Sequence, residues 1–318
     1  MPRPTEATSV PRQVDSYLEW VTMRPASVWR WLLLLPIFGL TLILGPALAL
    51  PLTLVLPDTE VGDLVARLSQ FPGTLLVFAG LAALVLWRPV WMFAFRRRRP
   101  EWGLAGIGIA IQTVVTLLAM LAYFLIGVIE VRYETPDLGL LLVMVPIALV
   151  GLVVQTGTEE FITRGALPQM VFRITTNPVF VIGVPALLFA ALHYTNVEDV
   201  GGGLFALLPY FATGALFGWV TWHTGSIWFA WGMHFANNAL LSLFLGNEGD
   251  VNKPLSGLTF VFSDPSAWTF VWTDLAPTLL TGVVVWWLVL RRRPSMGRLA
   301  RARRAETETA QPAPEPAR

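Results

Sequence analysis

Two adjacent glutamates, Glu159 and Glu160, close an apolar stretch running from about Leu138 through Val154, and Arg164 lies four residues beyond the second. Carboxylates at depth in a bilayer are costly and default to a functional reading. Three histidines, His193, His223 and His234, each fall in or at the end of an apolar run. His193 ends Phe-Ala-Ala-Leu-His, and His234 opens His-Phe-Ala-Asn-Asn, which finishes at Asn238. A carboxylate, two imidazoles and a carboxamide facing one cavity suit hydrolysis of an amide bond. The carboxylate can take a proton from water and pass it to the leaving amine, while N–H groups stabilise the developing oxyanion. There is no cysteine and no Gly-x-Ser-x-Gly elbow, so water is the expected attacker.

The same residues allow a metal. Glu159, His193 and His234 could ligate Zn2+ as two histidines plus one glutamate, with an open position for water. The local His-Glu-x-x-His signature is absent, so the ligands would have to come from three separate helices. Metal-bound and metal-free chemistry both stay open at this point. His223, at a span boundary in Trp-His-Thr-Gly, reads as an interfacial residue without chemistry.

Helical geometry sorts the polar groups. At about 100° per residue, Glu160 and Arg164 project roughly 40° apart, in the favourable acid-before-base order. Glu159 points about 100° away from Glu160. One glutamate is expected to be held by an internal cation, and the other to face a cavity. His234 and Asn238 share the same i,i+4 spacing, as do Phe189 and His193.

The elements that carry these residues are apolar. Of 318 residues, 55% are hydrophobic and only 14% charged, with 14 tryptophans; the mean hydropathy is +0.61. A soluble domain is nearer a quarter charged, and polytopic membrane proteins collect tryptophan at their interfaces. Absence of cysteine excludes disulfides, thiolate catalysis and Cys-zinc sites. Apolar runs of spanning length fall near 31–56, 73–95, 102–129, 138–160, 178–195, 203–222, 226–246 and 267–290. The expected fold is therefore an all-α polytopic membrane protein of about eight transmembrane helices. No signal peptide and no internal repeat is apparent, which disfavours an inverted-repeat transporter plan.

Charge placement orients the chain. Arg96–Arg99, Arg291–Arg293 and Arg298–Arg304 follow spans two and eight, and Arg24 and Arg30 precede span one. The opposite loops hold only Arg67, Arg132 and Lys253 of the 22 basic residues, but collect Asp58, Glu60, Asp63, Glu130, Glu134, Asp137, Glu198, Asp199, Glu248 and Asp250. Both termini are then expected to be cytoplasmic. Arginine runs abutting spans are topology signals, and no nucleic-acid partner is expected. The organisation reads as a polar cytoplasmic segment over 1–29, a membrane-embedded helical domain over 30–290, and a basic, then disordered, cytoplasmic tail over 291–318.

Depth decides whether the polar residues meet. Residues 161–172 keep helical composition past the glutamates, broken only by Pro168, with turn signals at Asn177-Pro178. A hairpin tip near residue 176 puts Glu159 and His193 each 17 residues away, about 25 Å along their helices, hence level. His234 lies about nine residues, roughly 14 Å, from the turn at Thr224-Gly225 and agrees less well unless the hairpin of spans four and five protrudes.

Glu-Glu-Phe-Ile-Thr-Arg (159–164), Phe-Ala-Ala-Leu-His (189–193) and His-Phe-Ala-Asn-Asn (234–238) resemble the three motifs of the CAAX prenyl protease and bacteriocin-processing family: E-E-x-x-x-R, F-x-x-x-H and H-x-x-x-N/B. Thr-Gly-Ser-Ile-Trp (224–228) is also similar to that family, and the resemblance covers about residues 140–246. It implies an α-helical intramembrane endopeptidase, in a family usually described as metalloproteases, with a cavity open to the cytoplasm. By position, Glu159 and His193 would activate water, His234 and Asn238 would stabilise the oxyanion or help bind a metal, and Glu160 and Arg164 would hold the site together. The implied partners are a peptide or protein substrate at the membrane and the lipid bilayer itself. The arginine-rich, lysine-poor composition points to a bacterial cytoplasmic membrane. A non-proteolytic immunity or scaffold protein of the same fold is the alternative, and a proton-coupled transporter using Glu159 ranks below it.

Overall fold

The computed structural model describes residues 14–23, 26–133, 135, 137–198, 203–244, 246–247, 258–264 and 266–291. The expected tail over 292–318, including Arg298–Arg304, and the loop charges Glu134, Asp199, Glu248, Asp250 and Lys253 lie outside the described residues. The main helices in chain order are α1 (Val28–Thr53), α2 (Glu60–Leu86), α3 (Trp102–Leu125) and α4 (Leu138–Ile174), then α5 (Pro178–Leu192), α6 (Gly203–Thr224), α7 (Trp228–Phe244) and α8 (Ala267–Leu290). Leucine, valine and isoleucine side chains stay exposed along these rods, as lipid-facing surfaces require. The protein is an all-α polytopic membrane protein.

The helices follow the expected apolar runs, with corrections. Among the described residues, six of them are long and apolar enough to cross a membrane. With 15 residues in α5 and 17 in α7, those two reach only about 22 and 26 Å, short of a hydrocarbon core of about 30 Å. The second run was expected over 73–95, but α2 starts at Glu60 and ends at Leu86. Thr59 caps it by accepting from the Gly62 N–H, and Glu60 and Asp63 occupy its first turn, where the helix dipole favours acids. Glu60, Asp63 and Arg67 are thus helical rather than loop residues; apolarity alone could not include them. At the far end Trp87 takes a left-handed conformation with φ 54°, and Pro89 follows, which disfavours continuing the helix.

A small sheet, not expected from the sequence, joins two loops at one end of the bundle. Strand β1 (Ile129–Tyr133) pairs antiparallel with β3 (Leu258–Phe262), in register Ile129 to Phe262, and β2 (Gly246–Asn247) pairs parallel with β3. Ile-Glu-Val-Arg-Tyr carries the alternation and β-branching of a strand.

At the opposite end, marked by Arg96–Arg99 and called here the basic end, the largest buried cluster forms. It contains Tyr17, Leu18, Trp20, Trp31, Phe78, Phe93, Phe161, Met170 and Trp222. Part of the segment expected to be a polar terminal stretch is therefore core. Val14, Tyr17, Leu18 and Val21 recur at i, i+3, i+4 and i+7, one face of a helical turn, and all four are buried. Ser16 and Glu19 form a reciprocal capping box at its start. Trp20 Nε1 donates to the Phe95 carbonyl at 2.9 Å, tying the segment to the link between α2 and α3.

The packing that matters most for the site is α7 against α3. A Cβ on Gly232 would stand 2.2 Å from the Ala105 carbonyl oxygen, and one on Gly108 would stand 2.3 Å from that of Phe229. Only glycine lets the two backbones approach this closely, a device common between membrane helices.

Candidate active site

Helix α4 is not uniform. After Leu138–Glu160 comes a widened turn at Phe161–Ala166, where Leu167 N–H bonds the Ile162 carbonyl five residues back, and a regular helix resumes over Leu167–Ile174. Pro168 accounts for the change. It has no N–H to give the carbonyl of residue 164, and its ring would crowd that carbonyl in a regular helix. Such widened turns frequently mark functional sites. The helix then reverses between Ile174 and Pro178 into α5, where the hairpin tip was expected.

Glu160, Arg164 and His234 form the buried centre. Glu160 Oε1 accepts from Arg164 Nη1 at 3.0 Å and from His234 Nδ1 at 2.9 Å. A carboxylate can only accept, so the His234 proton on this side is on Nδ1. The other ring nitrogen, Nε2, lies 3.6 Å from Glu159 Oε2. His234 thus stands between the two glutamates. The side chain of Glu160 is 0% exposed and that of Glu159 is 20%, so the two acids face different surroundings, as the angular spacing implies.

Aromatic rings enclose this centre. The Arg164 guanidinium lies 4.2 Å from the Phe189 ring centroid and 5.3 Å from that of Phe217, close enough for cation–π attraction. The same two rings flank His234, at 5.9 and 5.5 Å between centroids. Arg164 also donates from Nη1 to Thr163 Oγ1, and Thr163 donates from Oγ1 to the Glu159 carbonyl at 2.6 Å.

His193 caps the end of α5. Its Nδ1 lies 2.8 Å from the Phe189 carbonyl, and its ring stacks on Tyr210 with centroids 4.4 Å apart. It is within electrostatic reach of Glu159 and His234, but the direct partner of both glutamates is His234. The depth count set Glu159 level with His193 and admitted His234 if the hairpin of spans four and five protrudes; all three groups interact here, with His234 in the more direct contact.

Asn238 belongs to a polar chain distinct from the Glu160–Arg164–His234 hydrogen bonds. Gln112 of α3 donates from Nε2 to Thr116 Oγ1 at 3.2 Å and to Asn237 Oδ1 at 3.4 Å, and Asn237 Nδ2 donates to Asn238 Oδ1 at 3.4 Å. Asn238 takes part in that chain through its Oδ1. His223 lies outside this group, with Nδ1 2.9 Å from the Trp219 carbonyl.

Whether these side chains fit a metal can be tested on geometry. Glu159 Oε2 is buried without a hydrogen-bond partner, and with Nδ1 protonated a neutral His234 turns a lone pair on Nε2 towards it. Two acceptors facing each other need a proton, a water or a cation between them. A catalytic zinc, however, needs three protein ligands at about 2 Å. No group of three or more His, Cys, Asp or Glu side chains able to hold an ion occurs among the described residues. In this arrangement Glu159, His193 and His234 do not make a three-ligand site.

Phe217, Tyr210, Thr163, Gln112 and Asn237 were not singled out from the sequence. Gln112 carried a signal, being a lone amide within the apolar run of α3; Phe217 carried none, since aromatic residues are routine in such helices.

Residues 139–240 match the family described as Type II CAAX prenyl endopeptidase Rce1-like. The uncharacterized protein YyaK of Bacillus subtilis (strain 168) is 31% identical over 140 residues, which is 44% of this chain and 47% of that relative. The match thus spans about half the length of this curated relative. No solved structure matches. Glu159, Glu160, Arg164, Phe189, His193, His234 and Asn238 all fall within the segment, residues 139–240, that is similar to the Rce1-like type II CAAX prenyl endopeptidase family.

Proposed function

We propose that this protein is an intramembrane endopeptidase that hydrolyses a peptide bond of a membrane-associated or lipid-modified peptide by activated water. The observation that carries the reading is His234 held between two glutamates, Nδ1 on Glu160 and Nε2 towards Glu159. Glu159, the more exposed acid, takes a proton from water as the water oxygen attacks the scissile carbonyl carbon. His193 orients that water. The Asn238 amide donates an N–H to the oxyanion, and His234 adds a second donor only as the imidazolium, with Nε2 also protonated. When the C–N bond breaks, the proton on Glu159 passes to the leaving nitrogen, and Glu159 returns to its starting state. Glu160 and Arg164 fix the His234 ring and touch no reacting atom. By the charge bias of the loops, both termini face the cytoplasm, and the family resemblance implies that the cavity opens on the same side.

Glu159→Gln and His234→Ala test the reading in cells, by comparing the C-terminal peptides of the membrane proteome with those made by the unaltered protein. General acid–base groups contribute about 10²- to 10⁴-fold, so specific cleavage products are expected to fall at least about 100-fold while the variants still insert and melt normally in detergent. Products unchanged in Glu159→Gln would refute the assignment. The partnerless Glu159 Oε2 also suits a cation, so zinc content of the purified protein is the companion measurement. Stoichiometric zinc that is lost in His193→Ala would establish the metal reading, with His193 drawn in to complete the ligands. Full cleavage by zinc-free protein would establish the water-only one.

A further inference from the structure

The widened turn of α4 leaves one backbone group to be satisfied from elsewhere. In a regular helix the carbonyl of Arg164 would accept from the N–H of residue 168, but that residue is proline. The position is deeply buried; Arg164 is 1% exposed. A carbonyl there is costly to leave without a donor. The donor comes from a distant part of the chain. Tyr17 donates its phenol O–H to the Arg164 carbonyl at 2.6 Å, across 147 residues of sequence.

Tyr17 is itself held on both sides of its backbone. Its N–H donates to the Gly225 carbonyl at 3.1 Å, and its carbonyl accepts from Gln169 Nε2 at 3.2 Å. Gln169 Nε2 also donates to the Met92 carbonyl at 2.7 Å. Gly225 has φ +70° and a Cβ there would stand 2.3 Å from the Asp15 carbonyl oxygen, so this turn must be glycine for the segment to seat. Burial, and after it the charge of Glu160, pushes the phenol well above its ordinary range, so Tyr17 keeps the proton it donates.

We propose that Tyr17 is a positioning residue of the active site, replacing the backbone donor that Pro168 removes and thereby fixing the turn that aims Arg164 at Glu160 and, through it, Glu160 at His234. The segment Val14–Met23, outside the residues shared with the family, is then part of the catalytic scaffold rather than a terminal appendage. The inference rests on the peptidase reading for its effect on turnover, and on the hydrogen-bond geometry alone for its effect on the turn.

The experiment is a double-mutant cycle of Tyr17→Phe with Pro168→Ala in the full chain, because alanine at 168 restores the missing N–H. Tyr17→Phe is expected to lower kcat about tenfold with KM within about twofold. It should also speed amide hydrogen exchange across 161–167. In the double variant both effects should largely vanish relative to Pro168→Ala alone. A merely space-filling tyrosine would give losses that are the same in the proline and alanine backgrounds, and that result would overturn the proposal, as would exchange across 161–167 unchanged by Tyr17→Phe. Glu159→Gln run alongside separates the two readings. If it cleaves like the unaltered protein the peptidase assignment fails, while the exchange measurement still decides the role of Tyr17.

Discussion

Arg164 carries its charge into the protein between two phenyl faces, with one carboxylate to answer it. Removing one member of such a buried pair strands the other and costs about 3–5 kcal/mol, whereas removing both can come close to neutral. Arg164→Met should therefore lower the melting temperature in detergent sharply, and the double variant Glu160→Gln/Arg164→Met should recover much of that loss. Cleavage should not recover with it. The Glu160 carboxylate also accepts from His234 Nδ1, and a carboxamide is a weaker, uncharged acceptor that can turn its NH2 to the ring. Stability and activity parting in this way would separate the structural work of Glu160 from its hold on His234. Arg164→Lys is no safe control, because a compact ammonium loses the planar contact with Phe189 and Phe217.

At the scale of elements, the separation between α3 and α7 sets where His234 can be. Gly232 and Gly108 allow that contact, and a valine at 232 would meet backbone rather than a side chain that can turn aside. Gly232→Val should cost about 1–3 kcal/mol of overpacking, or more, and lower activity by moving His234, two residues along. Gly106→Ala on the same α3 meets nothing within 4 Å and should be neutral or slightly stabilising; melting curves of the two variants in one detergent make the comparison. The sequence made some of this legible. The Glu160–Arg164 pairing follows from spacing on one helix, and the reversal after residue 174 follows from Asn-Pro. The place of His234 did not, because it depends on how far one hairpin extends past its neighbour, which no single helix encodes. The start of α2 was hidden by charges that cap it. The buried N-terminal turn was legible in principle, through the spacing of Val14, Tyr17, Leu18 and Val21 and the Ser16–Glu19 box, but the prolines and charges around it read as a solvated tail.

Across the whole molecule, the residues shared with the family do not hold the site by themselves. Gln112 and Gly108 come from α3, and Tyr17 comes from a segment about 120 residues before the shared portion begins. Contacts so distant in sequence form only after the intervening chain exists. Tyr17 precedes its phenol partner Arg164 by 147 residues and its backbone partner Gly225 by still more. The site is thus completed by an early segment closing on later ones. The unaltered chain has no cysteine, so Leu18→Cys, at a fully buried position, gives a clean probe of when this happens. Ribosome-stalled chains ending at residue 200 should label readily with a water-soluble maleimide, and released full-length chains should resist it; equal labelling would show that seating does not wait for Gly225. The seam between Tyr17 and Gly225 consequently acts as a clock: until residue 225 has been made, the turn that aims Arg164 at Glu160 lacks the underpinning that Val14–Met23 provides.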